Sequence, residues 1–428
     1  MYECAVTGRG PWGGGDGMAE RLITAGSGER LHALDAARGL LLLLGIAFHA
    51  TLSFLPAPAG VQAWIVMDNS RSVALSVLFF TLHMFRMSAF FVLAGFFAHM
   101  SFHKKGLRGF VRDRLVRIGV PLVAGWPILF AAIVAATIWG AYVMAHGGPL
   151  PAAPPAQPFP AFPLTHLWFL YVLLLLYAVT LLLRGLVVLV DRGGWLRAGA
   201  DRVVRVMVEM PLGFVLLAAP TAAVLIAQPV WLAFFGIQTP DGSLVPNLPS
   251  AAAFATAFGF GWLLHRQTGL LEIWKRRWAV SLVLALGFTA GCLAINGLEP
   301  VYVPAAHDAR TALFAACYAL GVWSWTAAVI GGALRFLSAH SAARRYVADA
   351  SYWLYLAHMP VVMALQVAVS QAPWPWWAKY PLVLGIALAL LLASYQLLVR
   401  HSFIGRVLNG RRESRSTPPV HALPEAAE

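Results

Sequence analysis

Charge is what this chain has least of. Asp, Glu, Lys and Arg make up 11% of its 428 residues, and 60% are apolar. Globular proteins average about 25% charged residues, so a soluble fold is excluded. Carboxylates are the scarcer sign, with 18 Asp and Glu against 31 Lys and Arg. Cysteine is nearly absent: Cys4, Cys292 and Cys317 make no paired framework and give no disulfide argument in either direction. There is no P-loop, no His-Glu-x-x-His helix and no Cys/His metal spacing, so no metal is expected. The net charge of +13 comes without a basic–aromatic binding module, which argues against a nucleic-acid partner. No repeat of fixed period occurs, and no segment is left for a separate soluble domain.

What is abundant is apolar sequence in runs of about 20 residues, the length that crosses a bilayer as a helix. The fold class this implies is all-α, a polytopic membrane protein of about ten transmembrane helices. The spans fall at 36–55, 73–99, 118–144, 166–190, 211–235, 251–265, 279–297, 310–334, 351–371 and 380–400. Apart from Arg38, Arg71, Arg86, Arg310 and Lys379, every Lys and Arg lies in segments on one side of this arrangement. That asymmetry puts the basic loops and both termini in the cytoplasm. Residues 1–29 read as a disordered arm, 30–402 as the membrane domain and 403–428 as a cytoplasmic tail. Residues 147–163 make a Pro- and Ala-rich outer loop, and Lys379 falls in another outer connection.

Ionisable residues inside such spans are costly and point to function. The first span holds Arg38 and His49, eleven positions apart. On a helix that is about three turns, so both fall on one face about 16 Å apart, Arg38 near a membrane surface and His49 past the middle. The second span puts Arg86 near the bilayer centre with His83 one turn before it. A guanidinium there needs a carboxylate, a phosphate or several carbonyls. With few carboxylates available, a ligand anion or backbone carbonyl is expected. The ninth span carries Ser351, Tyr355 and His358 on a single stripe. Those residues either bond to neighbouring helices or share a polar cavity with His49 and Arg86. His166 opens the fourth span among Trp168 and Tyr171, as a polar contact at the outer mouth or as part of an aromatic belt. The basic segment 104–117, with Arg112 and Arg117, suits anionic headgroups or a phosphorylated donor.

Four elements in register with this topology resemble the acyltransferase family 3 membrane proteins, and among them the glucan biosynthesis protein C type. They are Arg38-x10-His49 preceded by Leu34-Asp35, the run from Phe85 to Phe96, His166-Leu-Trp-Phe-Leu-Tyr, and Ser351-Tyr-x2-Tyr-Leu-x-His358. The resemblance covers almost the whole chain. It implies an O-acyltransferase of the bacterial inner membrane. The donor would be a cytoplasmic acyl-CoA, succinyl-CoA or acetyl-CoA, and the acceptor an envelope polysaccharide or periplasmic glucan. It makes His49 the catalytic histidine, Arg38 a helper near the donor, and Arg86 and His358 residues of a shared cavity. One departure is Ala94, where the family commonly has Ser before Gly95.

The residues suit that chemistry independently. Moving an acyl group from a thioester to a hydroxyl needs a base near neutrality and a group for the oxyanion, and a histidine and an arginine supply them. The alternative is a secondary transporter or flippase built on two inverted five-helix repeats with a midplane site. Against it, the halves hold no matching pair of Gly/Pro-broken helices and no deep carboxylate for ion coupling. A homo-oligomer stays open.

Overall fold

The computed structural model describes residues 16–58, 61–146, 162–210 and 212–410. Most of the expected 147–163 loop, the first fifteen residues of the arm and the tail beyond residue 410 lie outside them. The fold is all-α, without a strand among the described residues. In hydrocarbon every backbone N–H and C=O needs a partner within its own segment, and the helix supplies it.

The helices are α1 (Asp16–Thr51), α2 (Val73–Arg114), α3 (Val120–Met144), α4 (Trp168–Val190), α5 (Trp195–Glu209), α6 (Gly213–Ile226), α7 (Leu248–Leu264), α8 (Leu271–Asn296), α9 (Ala309–Phe336), α10 (Ala342–Val369), α11 (Trp376–Ser394) and α12 (Phe403–Asn409). Among the described residues seven helical stretches are long and apolar enough to cross a membrane, or eight if the pair α5 and α6, which meet at 100°, counts as one span. The expected count of ten differs because of how breaks are treated. Two of the stretches, 73–144 and 248–296, run to 72 and 49 residues, more than twice what one crossing needs. They are interrupted at Gly106 (φ 67°) and Gln267 (φ −133°). The α-helix within the expected span at 211–235 is α6, whose 14 residues are too few on their own.

The central element is α1, which packs on α2, α9, α10 and α11. Beside it, α2 and α7 approach closely through glycines. A Cβ at Gly95 would lie 2.0 Å from the Phe258 carbonyl, and one at Gly261 would lie 2.0 Å from that of Val92. Lipid tails are as apolar as side chains, so helices in a bilayer associate through such close packing rather than through a hydrophobic driving force.

At the end of the bundle where α1 stops, residues 61–72 form a strap over the helices. Asp68 N–H donates to Ser53, Ser72 N–H to Phe54 and Asn69 N–H to Ser370. Lys379, expected in an outer connection, is fully buried under this strap. Its ammonium donates to Asp68 Oδ1 at 2.8 Å, Asn69 Oδ1 at 2.7 Å and the Ser370 carbonyl at 3.2 Å. Removing one member of a buried pair strands the other charge and costs about 3–5 kcal/mol, whereas replacing both by apolar groups is often nearly neutral. Lys379→Ala therefore lowers the melting temperature of the detergent-solubilised protein strongly, and the double variant Asp68→Leu/Lys379→Met recovers most of the loss. A double variant as unstable as Lys379→Ala alone would contradict this reading of the pair.

Candidate active site

The unbroken helix α1 carries both residues of the Arg38/His49 pair, so their separation along it is about 16 Å. Around its His49 end the polar residues of four elements converge. The imidazoles of His49 and His358 are 5.1 Å apart, centre to centre, and His358 and His166 are 5.4 Å apart. Arg86 is buried, with its guanidinium 4.5 Å over the ring of Phe48. A cation–π contact of this kind lowers the cost of desolvation. Gly45 makes room for it, since a Cβ there would sit 2.7 Å from Arg86 Nη1. Among the described residues Arg86 has no ion-pair partner, and its Nε is unpartnered.

Hydrogen bonds fix the tautomers of two of these histidines. His358 Nδ1–H donates to the Tyr355 carbonyl at 2.6 Å, which leaves Nε2 as a buried acceptor with no partner. His166 Nε2–H donates to the Leu356 carbonyl at 2.9 Å, and the Tyr355 hydroxyl donates back to the His166 carbonyl at 2.7 Å. His49 Nδ1 is likewise buried without a partner. Orphaned buried polar atoms are rare in native proteins and mark places where a ligand or water belongs. The residue before His166, Thr165, has φ 53°, a left-handed conformation that a β-branched side chain adopts only under strain. Strain of this kind collects at functional sites.

Three cavities run in series through these residues. A narrow waist of about 50 Å³ is lined by Gly45, His49, Arg86, His166, Tyr355 and His358, with Leu42, Phe90 and Phe169. Leu42, Phe90, Phe169 and Tyr355 also line a cavity of about 480 Å³ at the Arg38 end of α1. Asp35, Arg38, Arg114, Arg117 and Ser351 face that cavity. His49, Arg86 and His166 also line a cavity of about 640 Å³ at the opposite end, with His83, Trp64, Trp168, Gln238, Asp241 and Asn247.

Most of the expected site residues thus fall along one line. His166, read as a residue of the outer mouth, sits at the waist. His83 stacks on Phe48 and Phe79 in the wall of the larger cavity. Ser351 is buried and donates to the Ala348 carbonyl. Arg38 pairs with Asp35 at 3.2 Å, both half-exposed. Arg112 faces none of these cavities; Arg114 does instead. Two residues apart on a helix means opposite faces, so Arg114 and Arg117 turn inward together and Arg112 turns away.

One residue that the motifs did not mark is Gln366, fully buried on α10. Its amide donates to the carbonyls of His49 and Ala50 at 3.0 and 3.2 Å and accepts from the Trp64 indole at 2.9 Å. It closes the last turn of α1, whose carbonyls have no intrahelical partner. Its only signal in the sequence is a lone amide in an apolar run. Gln366→Leu orphans the indole and both carbonyls, so it lowers stability by about 1–3 kcal/mol in a thermal melt. A melt indistinguishable from wild type would show that the amide does not hold this end of α1.

Comparison with known proteins fits this geometry. Residues 31–396 match the acyltransferase family 3 description "Acyltransferase domain". The chain is 34% identical over 101 residues to glucans biosynthesis protein C of Shigella dysenteriae serotype 1, covering 24% of this chain and 25% of that protein. The figures are the same for glucans biosynthesis protein C of Escherichia coli strain K12. For that of Salmonella paratyphi B they are 30% over 155 residues, 36% of this chain and 38% of the relative. These alignments span less than two-fifths of the relatives' length. No solved structure matches. With the family match running from the middle of α1 to just past the end of α11, this chain belongs to the family 3 acyltransferases.

Proposed function

We propose that the protein is an O-acyltransferase of the bacterial inner membrane, with both termini cytoplasmic. It moves a succinyl or acetyl group from cytoplasmic acyl-CoA to a hydroxyl of an envelope glycan. The observation that carries this reading is the series of cavities narrowing at His49. Two substrates entering from opposite faces meet there, where His49 and the buried Arg86 share one wall.

The cavity at the Arg38 end suits the donor. Between the sulfur of coenzyme A and its first phosphorus lie about thirteen bonds, roughly 15 Å when extended at backbone-like spacing. That matches the 16 Å or so from His49 to Arg38 along α1. With the thioester at the waist, the pyrophosphate lies level with Arg38, Arg114 and Arg117, which hold it by charge-assisted hydrogen bonds. Phe90, Phe97, Phe169 and Leu173 line the path for the pantetheine arm.

The opposite cavity suits a sugar. It presents aromatic rings from Trp64, Trp168 and Phe235, and amide and carboxylate groups from Gln238, Asn247 and Asp241. The resemblance to glucans biosynthesis protein C favours a glucan acceptor.

At the waist His49 removes the proton of the sugar hydroxyl as its oxygen attacks the thioester carbonyl carbon. Arg86 holds the negative charge that develops on the carbonyl oxygen, in a water-poor site where such a contact is strongest. The C–S bond then breaks, and the leaving thiolate takes the proton back from His49. His358, with Nε2 free of other bonds, is the second group able to accept a proton.

General-base catalysis contributes about 10²–10⁴-fold, so His49→Gln lowers turnover of acyl-CoA by at least about a hundredfold. Expression and detergent melting stay close to wild type, because the substitution removes no packed apolar group. A His49→Gln enzyme with most of its activity would move the base to His358. Arg38→Ala raises KM for acyl-CoA by about tenfold, the weight of a charge-assisted hydrogen bond, and leaves KM for the acceptor unchanged. The half-exposed Arg38–Asp35 pair contributes little to folding, so stability is unaffected. Unchanged KM for acyl-CoA in a folded Arg38→Ala protein removes the donor role.

A further inference from the structure

A fourth cavity, of about 320 Å³, lies between the middle of α1 and the start of α10. It shares Asp35, Arg38, Ala348 and Asp349 with the donor cavity, so the two adjoin. Its further walls bring in Arg344, Arg345, His32 and His340. Across both cavities five arginines face inward against two lining carboxylates, Asp35 and Asp349. Asp35 is paired with Arg38, and Asp113, outside the lining, with Arg114 and Arg117 at 3.6 and 3.9 Å, which leaves Arg344 and Arg345 without a carboxylate partner among the described residues. So large an excess of cations in a chain this poor in charge suits a polyanion. His32 and His340 meet edge to face at 5.5 Å beside Leu337, a partly apolar aromatic corner.

The α1 helix also serves as a ruler. His32 is seventeen residues before His49, about 25 Å along the axis, and one to two turns past Arg38. A donor whose thioester is at the waist and whose pyrophosphate is level with Arg38 has its remaining part at that height. We propose that this cavity seats the 3′-phosphoadenosine end of the donor, its 3′-phosphate held by Arg344 and Arg345. This rests on the acyl-CoA reading above. Arg344 is braced for the task, its Nη2 donating to the Ala339 carbonyl at 2.7 Å. Arg345 is exposed at the rim and free to reach a phosphate that enters. The adenine ring packs against the His32–His340 corner.

The test is binding of adenosine 3′,5′-bisphosphate and of AMP to the purified full-length protein in detergent, by calorimetry, with acyl-CoA turnover measured on the same preparation. The wild type binds the bisphosphate about tenfold or more tightly than AMP, the weight of one to two charge-assisted hydrogen bonds. Arg345→Gln removes that preference and leaves AMP binding unchanged. Arg344→Lys keeps the charge but not the fork, and retains part of the preference. Arg345 makes no side-chain contact that folding needs, so its variant reports on the ligand alone. Equal affinities for the two nucleotides in a wild type that turns over acyl-CoA overturn the subsite and leave the donor reading intact. The expected preference in a protein that consumes no acyl-CoA overturns the donor reading and leaves the phosphate site standing. Displacement of the bisphosphate by phosphatidylglycerol assigns the arginines to a lipid headgroup and overturns the proposal.

Discussion

A guanidinium that cannot lose its proton sits in the middle of an apolar bundle, and the interior is arranged around it. Arg86 has no ion-pair partner among the described residues. A charge so placed is tolerable only against a polarisable ring and an opening that admits water or an anion. Phe48 supplies the ring, Gly45 leaves the space, and the waist cavity supplies the opening. Three histidines, His49, His166 and His358, line the same cavity, and His49 and His358 each keep a buried nitrogen there without a partner. The charge that makes the site costly in the resting protein is the charge that an acyl-transfer oxyanion needs.

The rest of the molecule keeps this point fixed. The last turn of α1 is where His49 sits, and its carbonyls are held by the Gln366 amide and by the Tyr380 hydroxyl, which donates to Ala47. The strap that covers the end of α1 is pinned by Lys379 and lends Trp64 to both the cavity at the His49 end and Gln366. A group bound in that cavity therefore touches the same small network that orients the His49 backbone. On the other side, four residues of the waist wall continue into the cavity at the Arg38 end, so the two halves of the passage are not independent structures.

Much of this is legible in the sequence because a helix imposes a period. Arg38 and His49 share a face for the simple reason that eleven residues make nearly three turns, and Ser351, Tyr355 and His358 follow the same rule. What the period cannot give is contact between segments far apart in the chain. Lys379 looks like one more basic residue of a loop, yet its partners are about 310 residues away at Asp68 and Asn69. Gln366 looks like an isolated amide until α1 is laid beside it. His166 reads as a residue of the membrane edge because its neighbours are Trp168 and Tyr171. The strained Thr165 and the bonds to α10 carry it inward. Arg112 and Arg114 are interchangeable in a basic run and opposed on a helix. The span count is limited for a related reason: hydropathy marks apolar runs but does not say whether a break at Gly106 or Gln267 ends a crossing.

The central claim is that two cavities open to opposite faces of the membrane and meet at His49. The direct measurement uses single cysteines on a cysteine-free background, at Ala94 in the cavity at the Arg38 end and at Ala63 in the opposite one. A membrane-impermeant thiol reagent is applied to right-side-out and to inverted vesicles. The account predicts that position 94 reacts only from the cytoplasmic face and position 63 only from the outer face. Reaction of both positions from one and the same face would contradict it.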